Sequence, residues 1–271
     1  RALMRTNSAI SKMSARDTAQ ANESEGLTTI NLKDYDAFLV DLEGVLTETT
    51  MFHAHAWKAM FDEYLRERAV RLGSTFKPFD PRHDHRRYLD EKSRLESVAG
   101  FLESRGIFLR PGREYDPPDK ETIYGLVNRK NQLFLETINQ HGLEAYQTSI
   151  DFIRRVKLEG LSAAVVTSSR NCGEVLEAAG ISDLFNVQID GTVARDWMID
   201  GKPSPGTYLE AARRLGVTPN RAVIIEDTVS GVRAGKAGHF GLVVGISRTG
   251  GPEILQQNGA DIAVSDLSEL Q

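Results

Sequence analysis

The stretch Ala37-Phe38-Leu39-Val40-Asp41-Leu42-Glu43-Gly44 decides the fold. Four consecutive apolar residues indicate a short strand that is buried on both faces. A carboxylate follows at once, and a glycine-containing turn comes directly after it. Ligands of open α/β sheets bind at the carboxyl ends of the strands. The stretch therefore predicts the first strand of a parallel sheet, with Asp41 presented at the functional edge.

Two later apolar runs end in polar groups in the same way. Residues 163–166 lead into Thr167, and residues 222–225 lead into Glu226 and Asp227. Lys202 lies between these two runs and is followed by a proline. A carboxylate, a hydroxyl, a lysine and an acidic pair are together the groups that phosphoryl transfer on Mg²⁺ requires.

These four motifs, in this order, resemble the haloacid-dehalogenase superfamily of phosphotransferases, and within it the β-phosphoglucomutase-like subfamily. The resemblance covers the chain from Tyr35 to the C-terminus. It implies an α/β fold: a doubly wound parallel sheet core with a helical cap domain inserted after the first strand. The implied activity is a phosphosugar mutase that converts β-glucose 1-phosphate to glucose 6-phosphate.

The resemblance also implies a role for each motif residue. Asp41 is the expected nucleophile, which would hold the phosphoryl group as an aspartyl-phosphate. Thr167 is expected to hydrogen-bond the phosphoryl oxygens, and Lys202 to neutralise their charge. The alternatives are ordinary structural roles: a loop-capping aspartate, a threonine that caps the next helix, and a solvated lysine.

Mg²⁺ is the implied cofactor. Its expected ligands are Asp41, Glu226, Asp227 and the backbone carbonyl of Glu43, which suit a hard ion that prefers oxygen. Adjacent acids at the end of a buried strand would repel each other strongly without a cation.

Eight further residues match the subfamily's substrate-binding segments, and for the basic ones a solvated surface is the alternative. They are Thr49, His53, Trp57, Arg94, Lys130, Ser168, Arg170 and Asn171. His53 could equally be a helix-start histidine with ordinary hydrogen bonds.

The first motif departs from the family pattern Asp-x-Asp, because Glu43 stands at the second acidic position. In the resembled enzymes that residue is the general acid/base. Glu43 is one methylene longer, which displaces the acid by roughly an ångström, and misplacement on that scale can cost about 100-fold in rate. Three functions remain open: the mutase, a sugar-phosphate phosphatase of the same family, and a catalytically weak domain that binds a sugar phosphate.

Residue patterns divide the chain into three parts. Residues 1–32 are predicted to be a polar N-terminal tail. Residues 33–52 and 146–271 are predicted to form the core, because helices and strands alternate from residue 146 onward. Residues 53–145 are predicted to form the helical cap, in which Trp57, Met60, Phe61, Tyr64 and Leu65 share one helix face.

Composition limits the partners. With 271 residues and a net charge of −5, the chain gives no reason to expect nucleic acid or an anionic membrane. The resemblance implies a small phosphosugar as the partner. The single cysteine, Cys172, permits no intrachain disulfide, which favours a cytoplasmic location. There is no apolar run of about 18 residues for a membrane span. A monomer is expected.

Overall fold

The computed structural model describes residues 20–22, 27–89 and 93–271. The predicted N-terminal tail lies mostly outside these residues. Its described part includes a short antiparallel pair of strands, β1 (Gln20–Asn22) and β2 (Leu27–Thr29). Thr28 also forms a bridge to Leu270, and the amide of Ile30 donates to the carbonyl of Gln271 over 2.7 Å. Residues 28–30 are thus tied to the C-terminus, which the sequence analysis did not predict.

The chain divides into two compact units. The sheet unit comprises the described part of Arg1–Leu46 together with Ala145–Cys172 and Ile181–Gln271. The helical unit comprises Thr47–Glu144, where described, and Gly173–Gly180.

Six parallel strands form the centre of the sheet unit, in the order β5-β4-β3-β6-β7-β8. They are β3 (Ala37–Val40), β4 (Ser162–Val166), β5 (Val187–Ile189), β6 (Ala222–Glu226), β7 (Leu242–Ile246) and β8 (Ile262–Val264). The predicted apolar runs 37–40, 163–166 and 222–225 form β3 and most of β4 and β6, and the predicted α/β fold is confirmed.

The strand order reverses beside β3. The chain first moves outward from β3 through β4 to β5, and it then returns to the other side of β3 to form β6. Such a reversal opens a crevice at the carboxyl ends of the strands, where open α/β sheets bind their ligands. In register, Val40 at the end of β3 pairs with Val165 of β4 and Ile225 of β6.

Both faces of the sheet are covered, which explains why β3 is apolar at every position. Leu39 packs in a cluster with Tyr208 and Val232, whereas Phe38 faces the other way and meets Phe152 edge-on at 5.5 Å. The helices of this unit are α5 (Gln147–Leu158), α7 (Gly191–Asp196), α8 (Gly206–Leu215), α9 (Val229–Ala237) and α10 (Glu253–Gln257).

The described part of the helical unit contains four helices from the cap segment and most of a fifth, later helix. These are α1 (Thr50–Leu72), α2 (His83–Tyr88), α3 (Arg94–Ser104), α4 (Ile123–His141) and α6 (Cys172–Ala178). The first of them begins at Thr50, three residues before the predicted start. It ends at Leu72 and is capped by Gly73, whose φ of 61° is left-handed.

The predicted face of α1 is buried. Trp57, Met60, Phe61, Tyr64 and Leu65 are all part of one hydrophobic cluster. Three rings form the centre of this cluster: Phe61 of α1, Phe101 of α3 and Phe79 of the loop between α1 and α2. Their ring centres lie between 4.3 and 5.1 Å apart.

Within the described residues, none of the helices combines the length and the hydropathy that crossing a membrane requires.

Truncating Phe101 should destabilise the helical unit. Its side chain is completely buried, so Phe101→Ala removes ring contacts and leaves a cavity, at a cost of about 3–5 kcal/mol. The matched control is Phe108→Ala, because that ring is 78% exposed and its removal should change stability by about 0.5 kcal/mol or less. Urea unfolding followed by circular dichroism measures both, and similar losses for the two variants would contradict the described packing.

Candidate active site

Asp41 lies at the carboxyl end of β3 and is only 6% exposed. Its amide donates to the carbonyl of Ile225 over 3.0 Å, which continues the pairing of β3 with β6 by one residue. The strand therefore fixes the backbone of Asp41, and the side chain begins where the sheet ends.

Lys202 contacts two carboxylates at this edge. Its ammonium donates to Oδ1 of Asp41, and it also forms an ion pair with Oε1 of Glu226. The Nζ atom lies 3.4 Å from the carbonyl oxygen of Val166, the last residue of β4. Burial opposes the charge of Lys202, but the two carboxylates outweigh it and raise the pKa of the lysine.

Glu226 is the last residue of β6 and is fully buried. The Tyr208 hydroxyl donates to its Oε1 over 2.8 Å. On the other side, the amide and the hydroxyl of Thr228 donate to Oε2 over 3.0 and 2.8 Å. Burial raises the pKa of Glu226, but the charge of Lys202 and these donors outweigh burial, so the pKa is lowered overall.

Two glycines allow backbone to approach the acidic side chains. A Cβ atom on Gly231 would lie 1.8 Å from Cδ of Glu226, and one on Gly44 would lie 2.0 Å from Oδ2 of Asp227. Gly44 also has a φ of 81°, which an L side chain rarely adopts. Both positions require glycine for the acidic groups to stand where they do.

Asp227 is the poorly satisfied member of the group. Its Oδ1 atom is buried and has no hydrogen-bond partner. Burial and the charge of Glu226 raise the pKa of Asp227 to about 7. Burial likewise raises the pKa of Asp41 well above its usual range, although the charge of Lys202 opposes this. The positive charge near Asp41 and Asp227 is therefore too small to balance their carboxylates.

A divalent cation fits this arrangement. Asp41, Glu226 and Asp227 each offer an oxygen atom, and these atoms lie within 4.8 Å of one another. Lys202 contacts two of the three carboxylates, and its single charge leaves an excess of negative charge. Mg²⁺ takes oxygen ligands of this kind, and it would supply a partner for the orphaned Oδ1 of Asp227.

Glu43 lies in the loop that follows β3 and is partly exposed. Its charge contributes to the raised pKa of Asp227, so the two acids are close enough to interact. The loop is closed by a hydrogen bond of 2.9 Å from the amide of Leu46 to the carbonyl of Leu42.

The second polar loop follows β4. Thr167 is buried, its amide donates to Ile189, and its hydroxyl accepts from the amide of Ser169 over 3.0 Å. Asn171 is buried in the same loop, whereas Ser168 and Arg170 are exposed. The loop thus begins beside Val166, whose carbonyl Lys202 contacts.

In the helical unit, three predicted substrate residues form a cluster with an aromatic ring. Lys130 of α4 is 2% exposed, and its Nζ atom lies 2.6 Å from Nδ1 of His53. The same ammonium lies 5.1 Å from the ring centres of Trp57 and Phe134. His53 stacks on Phe134 at 4.1 Å.

The other two predicted residues of this unit are Thr49, whose carbonyl accepts from the amide of His53 over 3.0 Å, and Arg94. Thr49 precedes α1, and its buried hydroxyl has no hydrogen-bond partner. Arg94 is the first residue of α3, whereas His53 and Lys130 lie on α1 and α4.

The sequence analysis did not predict Tyr208, Thr228 or Phe134. Thr228 carried a usable signal, since threonine is a preferred N-cap residue and stands directly before α9, where its hydroxyl accepts from the amide of Gly231. Phe134 lies one helical turn after Lys130, so helical spacing could have identified it. Tyr208 had no local signal.

Comparisons with known proteins identify the family of the chain. The family model described as haloacid dehalogenase-like hydrolase matches residues 35–239. A β-phosphoglucomutase from Mycobacterium bovis is 46% identical over 237 residues, covering 86% of this chain and 90% of that protein. A phosphorylated carbohydrates phosphatase from Thermotoga maritima is 24% identical over 215 residues, covering 78% and 85% of the two chains.

A solved structure shares the fold. The crystal structure of a β-phosphoglucomutase from Clostridium difficile superposes with a TM-score of 0.62 at 25% identity, covering 88% of this chain and 93% of that one. The family model spans most of the chain and includes the ends of β3, β4 and β6. The chain belongs to the haloacid dehalogenase-like hydrolase family and is a phosphoryl-transfer enzyme.

Proposed function

We propose that this protein is a Mg²⁺-dependent phosphosugar mutase, which converts β-glucose 1-phosphate to glucose 6-phosphate through an aspartyl-phosphate on Asp41. The observation that carries the proposal is the buried Asp41 carboxylate, which contacts Lys202 and lies within 4.8 Å of oxygens from Glu226 and Asp227. The 46% identity to a β-phosphoglucomutase supports the choice of substrate.

In the first half-reaction, a carboxylate oxygen of Asp41 attacks the phosphorus of a sugar bisphosphate. A bond forms between that oxygen and phosphorus, and the bond from phosphorus to the sugar oxygen breaks. Glu43, two residues further along the same loop, donates a proton to the departing sugar oxygen. The products are the aspartyl-phosphate and a sugar monophosphate.

In the second half-reaction, the other hydroxyl of a sugar monophosphate attacks the aspartyl-phosphate. Glu43 accepts the proton of that hydroxyl, and Asp41 leaves as a carboxylate. The bisphosphate forms again, now able to react at its other end. The net result moves the phosphate between two positions of the sugar without water.

Charge stabilisation is assigned to two residues near the strand ends. Lys202 and the hydroxyl of Thr167 would meet the phosphoryl oxygens. The cation held by Asp41, Glu226, Asp227 and the Glu43 carbonyl supplies further neutralisation of the phosphoryl charge when it is bound.

The proposed substrate set also includes the loop after β4 and part of the helical unit. Ser168, Arg170 and Asn171 follow Thr167 directly. In the helical unit, the Lys130 cluster combines a buried ammonium with aromatic rings. An ammonium suits a phosphate, and aromatic rings suit the apolar face of a sugar, so this chemistry favours a phosphorylated sugar over a bare phosphate.

A sugar-phosphate phosphatase is the second candidate, in which water rather than a sugar hydroxyl attacks the aspartyl-phosphate. If the longer carboxylate of Glu43 activates water better than a sugar hydroxyl, the aspartyl-phosphate is hydrolysed instead. The similarity to a carbohydrate phosphatase favours the same alternative.

One assay separates these functions. The protein is given β-glucose 1-phosphate, a priming amount of glucose bisphosphate and Mg²⁺, and both glucose 6-phosphate and inorganic phosphate are measured. Glucose 6-phosphate as the main product supports the mutase, and inorganic phosphate as the main product supports the phosphatase. Binding of the sugar phosphate without either product would indicate a catalytically weak domain.

Asp41→Asn should abolish turnover and the phosphoenzyme. The amide has nearly the same shape but cannot act as the nucleophile, so we expect the rate to fall by about 10⁴-fold or more. Acid-quenched protein analysed by mass spectrometry should lose its phosphoryl adduct. Asp36→Asn is the control, since Asp36 lies before β3 and pairs with Arg221 instead. Normal turnover by Asp41→Asn would rule out the aspartyl-phosphate.

Glu43→Gln should lower kcat by about 10²–10⁴-fold, because the amide cannot exchange a proton with the sugar oxygen. Glu43→Asp should stay well above Glu43→Gln, since it keeps the acid and restores the residue type of the family pattern. Glu159→Gln, at an exposed position, is the control. Steady-state kinetics measure the series, and full activity of Glu43→Gln would remove the acid/base assignment.

Asp227→Asn should weaken Mg²⁺ binding. Bound Mg²⁺ at 100 times its dissociation constant stabilises the folded protein by about 2.7 kcal/mol, and most of this increment should disappear in the variant. Thermal unfolding with and without Mg²⁺ measures it without any substrate. Asp261→Asn, whose carboxylate pairs with Lys236, is the control. An unchanged Mg²⁺ increment in Asp227→Asn would contradict the proposed site.

A further inference from the structure

Arg248 follows β7, and its side chain contacts three separate parts of the sheet unit. Its Nε donates to the carbonyl of Gly44 over 3.0 Å, and its Nη2 donates to the carbonyl of Val45 over 3.1 Å. Nη1 donates to Oδ2 of Asp266 over 2.6 Å. Nη2 also lies 2.8 Å from Oγ of Ser149.

The guanidinium is enclosed by further contacts. It lies 3.6 Å from the ring centre of Tyr146, and its side chain is 16% exposed. Ser149 in turn donates to the carbonyl of Val45 over 2.7 Å, so two side chains converge on one backbone oxygen. The amide of Tyr146 donates to the carbonyl of Leu46 over 2.9 Å.

These contacts hold the backbone carbonyls of the residues that follow Glu43, namely Gly44, Val45 and Leu46. The carbonyls of Gly44 and Val45 are held from one side, and Gly44 already lies too close to Asp227 to carry a side chain. On the other side of Glu43, the amide of Asp41 is held by β6. Fixing both flanks of a residue fixes the direction in which its side chain leaves the backbone.

We propose that Arg248 is a positioning residue for phosphoryl transfer, which fixes the loop after β3 and thereby places the carboxylate of Glu43. The inference rests on the proposed role of Glu43 as acid/base. Arginine suits this task because its planar fork presents several donors in fixed directions, whereas a lysine is a single flexible point charge.

The test compares Arg248→Gln and Arg248→Lys with matched changes at Arg221. Arg221 makes two hydrogen bonds of 2.8 and 3.0 Å to Asp36, just before the opposite end of β3. It is therefore an arginine of the same unit that anchors the same strand but does not touch the loop. Thermal unfolding verifies that each variant is folded.

The first readout is hydrogen exchange of the peptide that contains residues 42–46, measured by mass spectrometry. We expect exchange in this loop to be about 10-fold faster in Arg248→Gln and less increased in Arg248→Lys, because local opening becomes easier. The Arg221 variants should leave it unchanged. Unchanged exchange in Arg248→Gln would overturn the proposal.

The second readout is the dependence of the rate on the leaving group. A sugar oxygen needs a proton as it leaves, whereas p-nitrophenolate does not. Arg248→Gln should therefore lower kcat/KM for the sugar bisphosphate by about 100-fold, and that for p-nitrophenyl phosphate by about 3-fold or less. Arg248→Lys should recover part of the loss.

Glu43→Gln separates this proposal from the proposed function. The same selective loss in Glu43→Gln and Arg248→Gln supports both. Equal losses on the two phosphates in Arg248→Gln would overturn the positioning role and leave Arg248 as a purely structural residue. If Glu43→Gln shows no selective loss, the acid/base assignment fails, and loop exchange alone then decides whether Arg248 fixes the loop.

Discussion

The ammonium of Lys202 lies between the carboxylates of Asp41 and Glu226, and the whole site depends on this contact. All three side chains are almost completely removed from solvent, so none of the charges is stable there alone. Removing one partner of a buried ion pair typically costs about 3–5 kcal/mol, because the other charge stays buried. The lysine therefore makes it possible to keep acidic groups at two neighbouring strand ends within a closed core.

Strand order and register bring those groups together. Asp41 and Glu226 are far apart in sequence, but β3 and β6 are neighbours because the chain reverses its direction across the sheet beside β3. Val40 pairs with Ile225, so the next residue on each strand is an acid. A shift of one residue in either strand would turn its side chains to the opposite faces, and the acidic pair would separate. The apolar residues of β3 and β6 therefore fix the site as firmly as the charged residues do.

The sequence was sufficient for the strands and for the charged residues that end them, because each motif is local and follows an apolar run. It was insufficient where a contact joins distant segments. The side chain of Arg248 donates to the carbonyl of Gly44, which lies 204 positions away in the sequence. Tyr208 donates to Glu226 from α8, and the apolar pattern of that helix indicates only which face is buried. The N-terminal segment shows the same limit. Its polar composition predicted a tail, yet residues 28–30 bond to the C-terminus through backbone groups, which composition does not reveal.

The extra methylene of Glu43 bears on how the proposed acid/base could be placed. The carboxylate of a glutamate can occupy the position of an aspartate carboxylate in two ways: the backbone retreats, or the side chain adopts a bent conformation. Retreat is opposed here, because β6 holds the amide of Asp41 and Arg248 holds the carbonyls of Gly44 and Val45. The additional length must then be absorbed by the torsions of the Glu43 side chain, whose ordering has an entropic cost. A rigid loop with an adjustable side chain makes the rate depend on how Glu43 is packed, rather than on where its backbone lies.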